Sequence, residues 1–469
     1  MTSPPLSADV IRGMFSQALS DMYQSEAPRY RALMNLVASV NSRVLAADPD
    51  LKARLLEKRG LDRLSLARHG AIRVGTAREL FTLRRLFAVM GMAPVGYYDL
   101  SGSGLPVHST AFRPVTPAAL QANPFRMFAS LLRLELIRDA ALREEAAAIL
   151  ARRDIFTPRC RELLDLHDKI GGFDETIARE FVAEALETFR FHRQAATPED
   201  VYRRLFAAHP LIADIVCFRG PHINHLTLTA LDIDAAQQAL AEQGMAPKAI
   251  IEGPPRRRCP ILLRQTSYKA QAEPVSFDTM GGAMAEGAHA ARFGEIEQRA
   301  AALTAKGRSL YDRLLGETLA SVTPAGDGSN AQAYAQELVR RFAAFPDDHV
   351  TLRSEKLAFF RYTPTTEGLR HKDQPRPETL DELLRRGHIE IEPILYEDFL
   401  PASAAGIFRS NLGDDAAETA ETNSNRQALE AALGEKIVDE IALYQQEETQ
   451  SLEACLLALG LPVDAFSIR

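Results

Sequence analysis

The stretch "RHGAIRVG", residues 68–75, sets a histidine and an arginine in an otherwise apolar run. Read as a strand, His69, Ala71 and Arg73 share one face, and Gly70, Ile72 and Val74 the other. A second strand-like stretch, "HINHLTLTAL" (222–231), carries His222 and Asn224 on one face and His225 on the other, with Ile223 and Thr227. A third, "RFGEIEQR", puts Glu295 and Glu297 on a common face. Two imidazoles and one carboxylate on three facing strands match the 2-His-1-carboxylate triad, which leaves positions open on Fe(II) for substrate and dioxygen. The plainer alternatives are structural histidines and a solvated Glu face. With 11 histidines in the chain, chance placements are expected. "HIEIEP" is a rival, because His388, Glu390 and Glu392 also share a face; it also fits the polar side of an edge strand.

Arg73 bears on that choice. A guanidinium beside a dication is unfavourable unless an anion lies between them. A substrate carboxylate would be such an anion, and Arg binds one in bidentate fashion. The alternative is an ordinary salt bridge to one of the chain's acids.

The elements that must position these residues follow from pattern. Residues 1–60 read as N-terminal helices, with apolar positions three and four apart in "ADVIRGMFSQALSDMY" and "YRALMNLVASVNSRVLA". After the strand at about 66–74, "TARELFTLRRLFAVMG" opens with Thr76 and Glu79 in capping-box spacing and stops at Gly91, so it is read as a helix. "VGYYDL" and "PVHSTAFRPV" are two strands joined by "SGSG", which closes a first β-α-β module over 61–115. Residues 116–206, including "NPFRMFASLLRLELI", read as a helical insertion. A second module, β-α-β-β-β over 207–300, runs from "HINHL" through the helix "DIDAAQQALAEQG" to strands at "PKAIIEG", "PILLRQTSYKA" and "HAARFGEIEQRA". Residues 301–412 hold further strands and loops that close the site, and 413–469 are C-terminal helices, with one charged amphipathic helix over about 425–459. The whole, 1–469, is read as a single catalytic unit of α+β class, a curved sheet with flanking helices.

Composition narrows the partners. The 469 residues are 46% hydrophobic and 25% charged, ordinary values for a globular protein. A formal charge of -7 argues against nucleic acid as the main partner. The basic run "PPRRRCP" (254–260) is read as a solvated loop. The start "MTSPPLSADV" has no secretory signal pattern, and no stretch of about 18 apolar residues occurs, so no membrane partner is expected. Cys160, Cys217, Cys259 and Cys455 form no CxxC, which fits a reducing cytoplasm. "GSG" lacks the third glycine of a dinucleotide fingerprint, and no P-loop, G-x-S-x-G or H-E-x-x-H is present.

Together, "HGAIRVGT", "HINHLT", "RFGEIEQR" and "YEDFLPASAAGIFRSNL" resemble the bacterial 2-oxoadipate dioxygenase/decarboxylase (hydroxyglutarate synthase) family over about residues 7–465. The resemblance implies a fold like that of vicinal oxygen chelate enzymes, built from β-α-β-β-β modules around a metal site. It implies one Fe(II) held by His69, His225 and a glutamate of "GEIEQ". Glu295 is taken as that ligand, although the pattern does not separate it from Glu297. It also implies Arg73 as a substrate-binding residue, and a substrate contact at "LPASAAG" through Ala402 and Ser403. Family members carry a larger aliphatic residue at the Ala402 position, so this departure would widen the pocket and leaves the substrate's chain length open. The implied reaction turns 2-oxoadipate and dioxygen into 2-hydroxyglutarate and carbon dioxide, in cytoplasmic lysine catabolism. Two rivals stand beside it: a glyoxalase-like metal-dependent isomerase or lyase, and a metal-free small-molecule binding protein. Fold alone does not choose among them.

Overall fold

The computed structural model describes residues 4–57, 60–61, 63–270, 272–278, 284–290, 292–371, 379–400 and 416–463. The chain divides into two compact units. The first takes in Met1–Glu252, Gln265–Gln298 and Phe399–Val438; the second takes in Gly253–Arg264, Arg299–Asp398 and Asp439–Arg469.

In the first unit, helices α1 (Ala8–Glu26), α2 (Pro28–Ala47) and α3 (Pro49–Glu57) lead into strand β1 (Ala67–Val74). Helix α4 (Ala77–Val89) follows. Thr76 Oγ1 accepts from the Glu79 amide, and the Glu79 carboxylate accepts from the Thr76 amide, so the capping box is real. Gly91, at φ +67°, turns the chain out of the helix. Strands β2 (Ala93–Asp99), β3 (Val107–Arg113) and β4 (Arg126–Leu132) complete a β-α-β-β-β module. The short helix α5 (Pro117–Ala122) precedes β4, and α6 (Ala140–Arg152), α7 (Pro158–Ile170), α8 (Glu175–Leu186), α9 (Glu199–Ala208) and α10 (Pro210–Val216) lie between the modules.

The second module runs β5 (His225–Thr229), α11 (Ile233–Glu242), β6 (Leu263–Ser267) and β9 (Phe293–Arg299), with the hairpin β7 (Glu273–Asp278) and β8 (Met284–His289) inserted before its last strand. The strands of both modules other than this hairpin form one seven-stranded sheet in the order β2-β3-β4-β1-β5-β9-β6, curled as a half-barrel. The halves repeat each other: β1 lies parallel to β4 as β5 lies parallel to β9, and β1 meets β5 antiparallel at the seam.

Both faces of β1 are covered. Ile72 and Val74 enter an apolar cluster with Phe15 and Leu19 of α1. Ala71 enters another with Tyr98, Phe128 and Phe399. Close approach explains two glycines. A Cβ at Gly70 would meet Ile223 Cδ1 at 2.5 Å, and one at Gly294 would meet Leu33 Cδ2 at 2.5 Å and Tyr268 Cε1 at 2.7 Å.

In the second unit, β10 (Phe360–Pro364) pairs antiparallel with β11 (Ile389–Pro393). Glu448, on the helix Glu440–Ala458, accepts from the Phe360 amide at 2.8 Å.

Several expectations need correction. "NPFRMFASLLRLELI" is not a helix: its core is β4, whose seven residues are all buried. A strand buried on both faces shows no alternation, and its apolar run imitates helical spacing. "PKAIIEG" forms no strand; it meets its neighbours through isolated bridges at Pro247 and Glu252 and through the Lys248 amide, which donates to the Ser267 carbonyl at 2.9 Å. "LRSEKLAFFRYTP", whose alternation reads as one of the further strands of 301–412, begins in a helix, His349–Ser354, before β10. The C-terminal amphipathic stretch is two helices, Ala416–Leu433 and Glu440–Ala458, broken at Gly434 with φ +68°. "PPRRRCP" is not merely solvated. Arg257 donates to the carbonyls of Phe342 (3.1 Å), Phe345 (2.8 Å) and Pro346 (2.7 Å), with its guanidinium over the Phe345 ring.

Candidate metal centre

Sheet register assembles the site. His69 pairs with Thr227 across the β1–β5 seam, and Thr227 pairs with Glu295 across β5–β9. These three side chains therefore stand in one row, within reach of their neighbours. His225 lies two residues before Thr227 on the same strand face. Ligand atoms of His69, His225 and Glu295 all fall within 4.8 Å of one another. His69 Nε2 is 3.1 Å from Glu295 Oε1, and His225 Nε2 is 3.8 Å from the same oxygen. The Thr227 hydroxyl donates to Glu295 Oε1 at 2.9 Å, and the Gln265 amide donates to it at 2.8 Å.

Glu297 takes a different place. Its Oε2 is 3.0 Å from Nδ1 of His69, the far side of that ring. The opposite nitrogen, Nε2, meets Glu295 Oε1 at 3.1 Å and the Thr227 hydroxyl at 3.0 Å. Ligand-type atoms of His69, His225 and Glu295 stand as donors to a single cation would.

The protonation states agree with that. Burial pushes His225 down to about 3, only partly opposed by Glu295, so its imidazole is neutral at pH 7. Burial would raise Glu295, but His225, His69 and Lys248 outweigh it and hold the carboxylate at about 2. Neutral imidazole and ionised carboxylate are the forms that bind metal. The buried Nδ1 of His225 has no hydrogen-bond partner. The residues present thus fit a metal ion.

The repeat exposes one difference between the halves. Thr227, two residues after His225, pairs with Glu295; Ala71, two residues after His69, pairs with Phe128. Phe128 therefore stands in the first module where Glu295 stands in the second. It packs against Phe399 (5.0 Å between centroids) and Tyr98 (5.2 Å), and Phe399 meets the edge of His69 at 4.7 Å. One side of the site is aromatic, and among the described residues three ligand-type side chains form the group.

Arg73 shares the His69 face of β1 and is about one-quarter exposed. Its NH1 donates to Asp214 Oδ2 at 2.9 Å, so the salt-bridge alternative is present in the structure. Sequence patterns had not pointed to Asp214. His222 and His289 join Asp214 instead of the site, as a second buried group of ligand-type residues. The rival set in "HIEIEP" lies on β11, where Glu390 and Glu392 are exposed. Ala402 and Ser403 lie outside the described residues. The contributions of Thr227 and Gln265 had no motif; only the shared face of His225 and Thr227 hinted at the first.

The sequence profile of a family described as 2-oxoadipate dioxygenase/decarboxylase matches residues 15–411. The chain belongs to that family. A family member from Pseudomonas putida, called 2-oxoadipate dioxygenase/decarboxylase, is 54% identical over 457 residues, 97% of this chain and 98% of that one. Another, from Escherichia coli K12, is 53% identical over 456 residues, 96% and 98% of the two chains. Among solved structures, a hydroxyglutarate synthase from Pseudomonas putida in complex with 2-oxoadipate superposes with a TM-score of 0.90 at 52% identity, covering 98% of this chain and 100% of that one. Membership in the 2-oxoadipate dioxygenase/decarboxylase family accounts for a metal-type site on a sheet face that also carries an arginine. Among the described residues no helix is long and apolar enough to cross a membrane.

Proposed function

We propose that this chain is an Fe(II)-dependent dioxygenase/decarboxylase that converts 2-oxoadipate and dioxygen to 2-hydroxyglutarate and carbon dioxide in the cytoplasm, within lysine catabolism. The observation that carries this reading is the convergence of His69, His225 and Glu295 on the sheet face that also carries Arg73. The names of the relatives at 53–54% identity support it, and so does the bound 2-oxoadipate of the solved relative.

His69, His225 and Glu295 would hold the iron. Bound there, Fe(II) supplies dioxygen activation and the redox capacity that no side chain here has. The protein's own tasks are positional. Glu297 braces His69 from its Nδ1 side and so fixes the ring. Thr227 and Gln265 fix the Glu295 carboxylate through Oε1. Arg73 lies four residues from His69, about 13 Å along a strand. The substrate's oxo acid end belongs at the metal ligands and its far carboxylate at Arg73, which sets orientation. Phe128, Phe399 and Tyr98 keep water from the aromatic side. The substrate brings its own oxo acid, so no separate 2-oxoglutarate is required. The balance closes: one dioxygen enters, one carbon–carbon bond breaks, one carbon dioxide leaves, and both oxygen atoms of the dioxygen stay in 2-hydroxyglutarate.

The test is dioxygen uptake by protein reconstituted anaerobically with Fe(II) and then given 2-oxoadipate. Uptake matched one-to-one by carbon dioxide and 2-hydroxyglutarate, and lost in His69→Ala, is the expected result. No uptake with 2-oxoadipate or with shorter and longer 2-oxo acids overturns the reading in favour of an isomerase.

A further inference from the structure

We infer that Asp214 positions Arg73 for the substrate's far carboxylate, acting from the centre of a buried network with His289, Tyr202 and His222. The inference rests on the reading of Arg73 as a carboxylate ligand.

Arginine's side chain is long and flexible, and an arginine that must meet a carboxylate at a set distance from a metal needs a hold. Asp214 supplies one. Its Oδ2 accepts from Arg73 NH1 at 2.9 Å, and its Oδ1 lies 2.8 Å from Nε2 of His289. The Tyr202 hydroxyl is 3.0 Å from Nδ1 of His289. With the hydroxyl donating to Nδ1, Nε2–H points at Asp214. His222 Nε2 is 3.4 Å from the same Oδ1 and also 3.4 Å from the Asn224 amide nitrogen. Asp214, His222, His289 and Tyr202 are all buried. Only Arg73 reaches outward, and just one of its nitrogens is used on Asp214, so among the described residues its other donors are left for a ligand.

The support is rigid. Asp214 sits on α10, and Arg153 donates to the carbonyls of Ile215 and Phe218 beside it. Arg153 is itself held by both oxygens of Glu79 at the cap of α4. His289 ends the hairpin strand β8. One element, α10, thus meets the tip of Arg73 through Asp214, and His289 of β8 and Arg153 hold Asp214 and its helix from behind.

The same residues have the chemistry of a second metal site, since their ligand atoms lie within 4.8 Å of one another. The contacts are complete without one: Arg73 answers the charge of Asp214 at 2.9 Å, and His289 Nε2 meets its other oxygen at 2.8 Å.

The test uses iron-loaded enzyme and two substrates of equal chain length, 2-oxoadipate and 2-oxohexanoate, which lacks the far carboxylate. Asp214→Asn should raise KM for 2-oxoadipate tenfold or more, with kcat within threefold, and leave KM for 2-oxohexanoate unmoved. Asp214→Glu should recover most of the loss. Tyr202→Phe, a milder change that decides the matter if Asp214→Asn lowers Tm sharply, should raise KM two- to fivefold for the dicarboxylate alone. Arg73→Ala combined with Asp214→Asn should be no worse than Arg73→Ala, because both act through one contact. If Arg73→Ala discriminates between the substrates while Asp214→Asn and Tyr202→Phe do not, the inference is overturned and the role of Arg73 stands. If Arg73→Ala itself fails to discriminate, both fall. Two metal equivalents in the wild type and one in Asp214→Asn would also overturn it, in favour of a second metal site.

Discussion

Glu297 and His69 meet back to front: Glu297 Oε2 lies 3.0 Å from Nδ1, while the opposite ring nitrogen faces Glu295 at 3.1 Å. Two glutamates that alternation places on one face are thus divided between the two sides of a single imidazole. Outer carboxylates of this kind set ring orientation and basicity, and removing one costs about 10–100-fold in metal affinity. Glu297→Gln should therefore weaken iron binding by that factor with the fold intact, and Glu295→Ala should weaken it further. Chelator competition on the two purified variants reads the order directly. The reverse order would make Glu297 the ligand.

Gly70 has no room for a methyl group. A Cβ at this position would lie 2.5 Å from Ile223 Cδ1 and 3.1 Å from Leu226 Cδ2, side chains packed under β1. Gly70→Ala should lower stability by about 1–3 kcal/mol through overpacking. It should also weaken metal binding, because β1 shifts His69 as it moves. Urea midpoints and chelator competition on the same preparation check both; unchanged values in both would mean the packed layer yields at no cost.

Glu79 serves three residues at once, accepting from four N–H groups. It caps α4 through the amides of Gly75 and Thr76, and it pairs with the buried Arg153 through both oxygens, at 2.8 and 2.9 Å. Glu79→Gln leaves Arg153 buried without its counter-charge, which costs about 3–5 kcal/mol. Equilibrium unfolding should show that loss. A drop under about 1 kcal/mol would place Arg153 in contact with water or another acid.

Acid should destabilise the metal-free protein well above the carboxylate range. Burial holds His222 at about 4 against an ordinary 6.5, with Asp214 opposing; burial followed by Arg133 holds His108 at about 4 as well. Between pH 6.5 and 4 the unfolded chain binds protons that the folded chain refuses, so stability falls as pH falls through this window. At about 1.4 kcal/mol per pH unit, each histidine contributes roughly 3 kcal/mol across it. Asp214, held below its ordinary value, acts only at lower pH still. Urea midpoints of the apo-protein at pH 7, 5.5 and 4.5 should decline, and His108→Gln should flatten the decline. A flat profile in the wild type would show these imidazoles to be solvated.

Much of the site was legible because strand alternation is a hard rule. His69, Arg73, His225 and the glutamate pair were assignable to faces without knowing which strands touch. Register was not legible. Nothing in "HINHLT" says that Thr227 lies opposite both His69 and Glu295, and only that pairing shows which glutamate faces Nε2. Asp214 was hidden for a different reason: it sits on a short helix, 141 residues after Arg73 in the chain, and long-range ion pairs leave no local periodicity. The first module was cut short because β4, buried on both faces, reads as a helix. Its loss left the internal repeat legible only in part, as β-α-β-β against β-α-β-β-β, and β4 completes it, since β1 and β4 pair as β5 and β9 do.

That repeat has an asymmetric outcome. The two halves offer the same framework, and a scaffold of twofold character would by default surround its centre evenly. Exchanging an acid for Phe128 in one half breaks the balance at a single position. It gives the centre a front and a back: a back of charged, inward-held groups and a front of hydrocarbon rings. The difference between the two sides is set by one aromatic side chain where the other half of the sheet carries an acid.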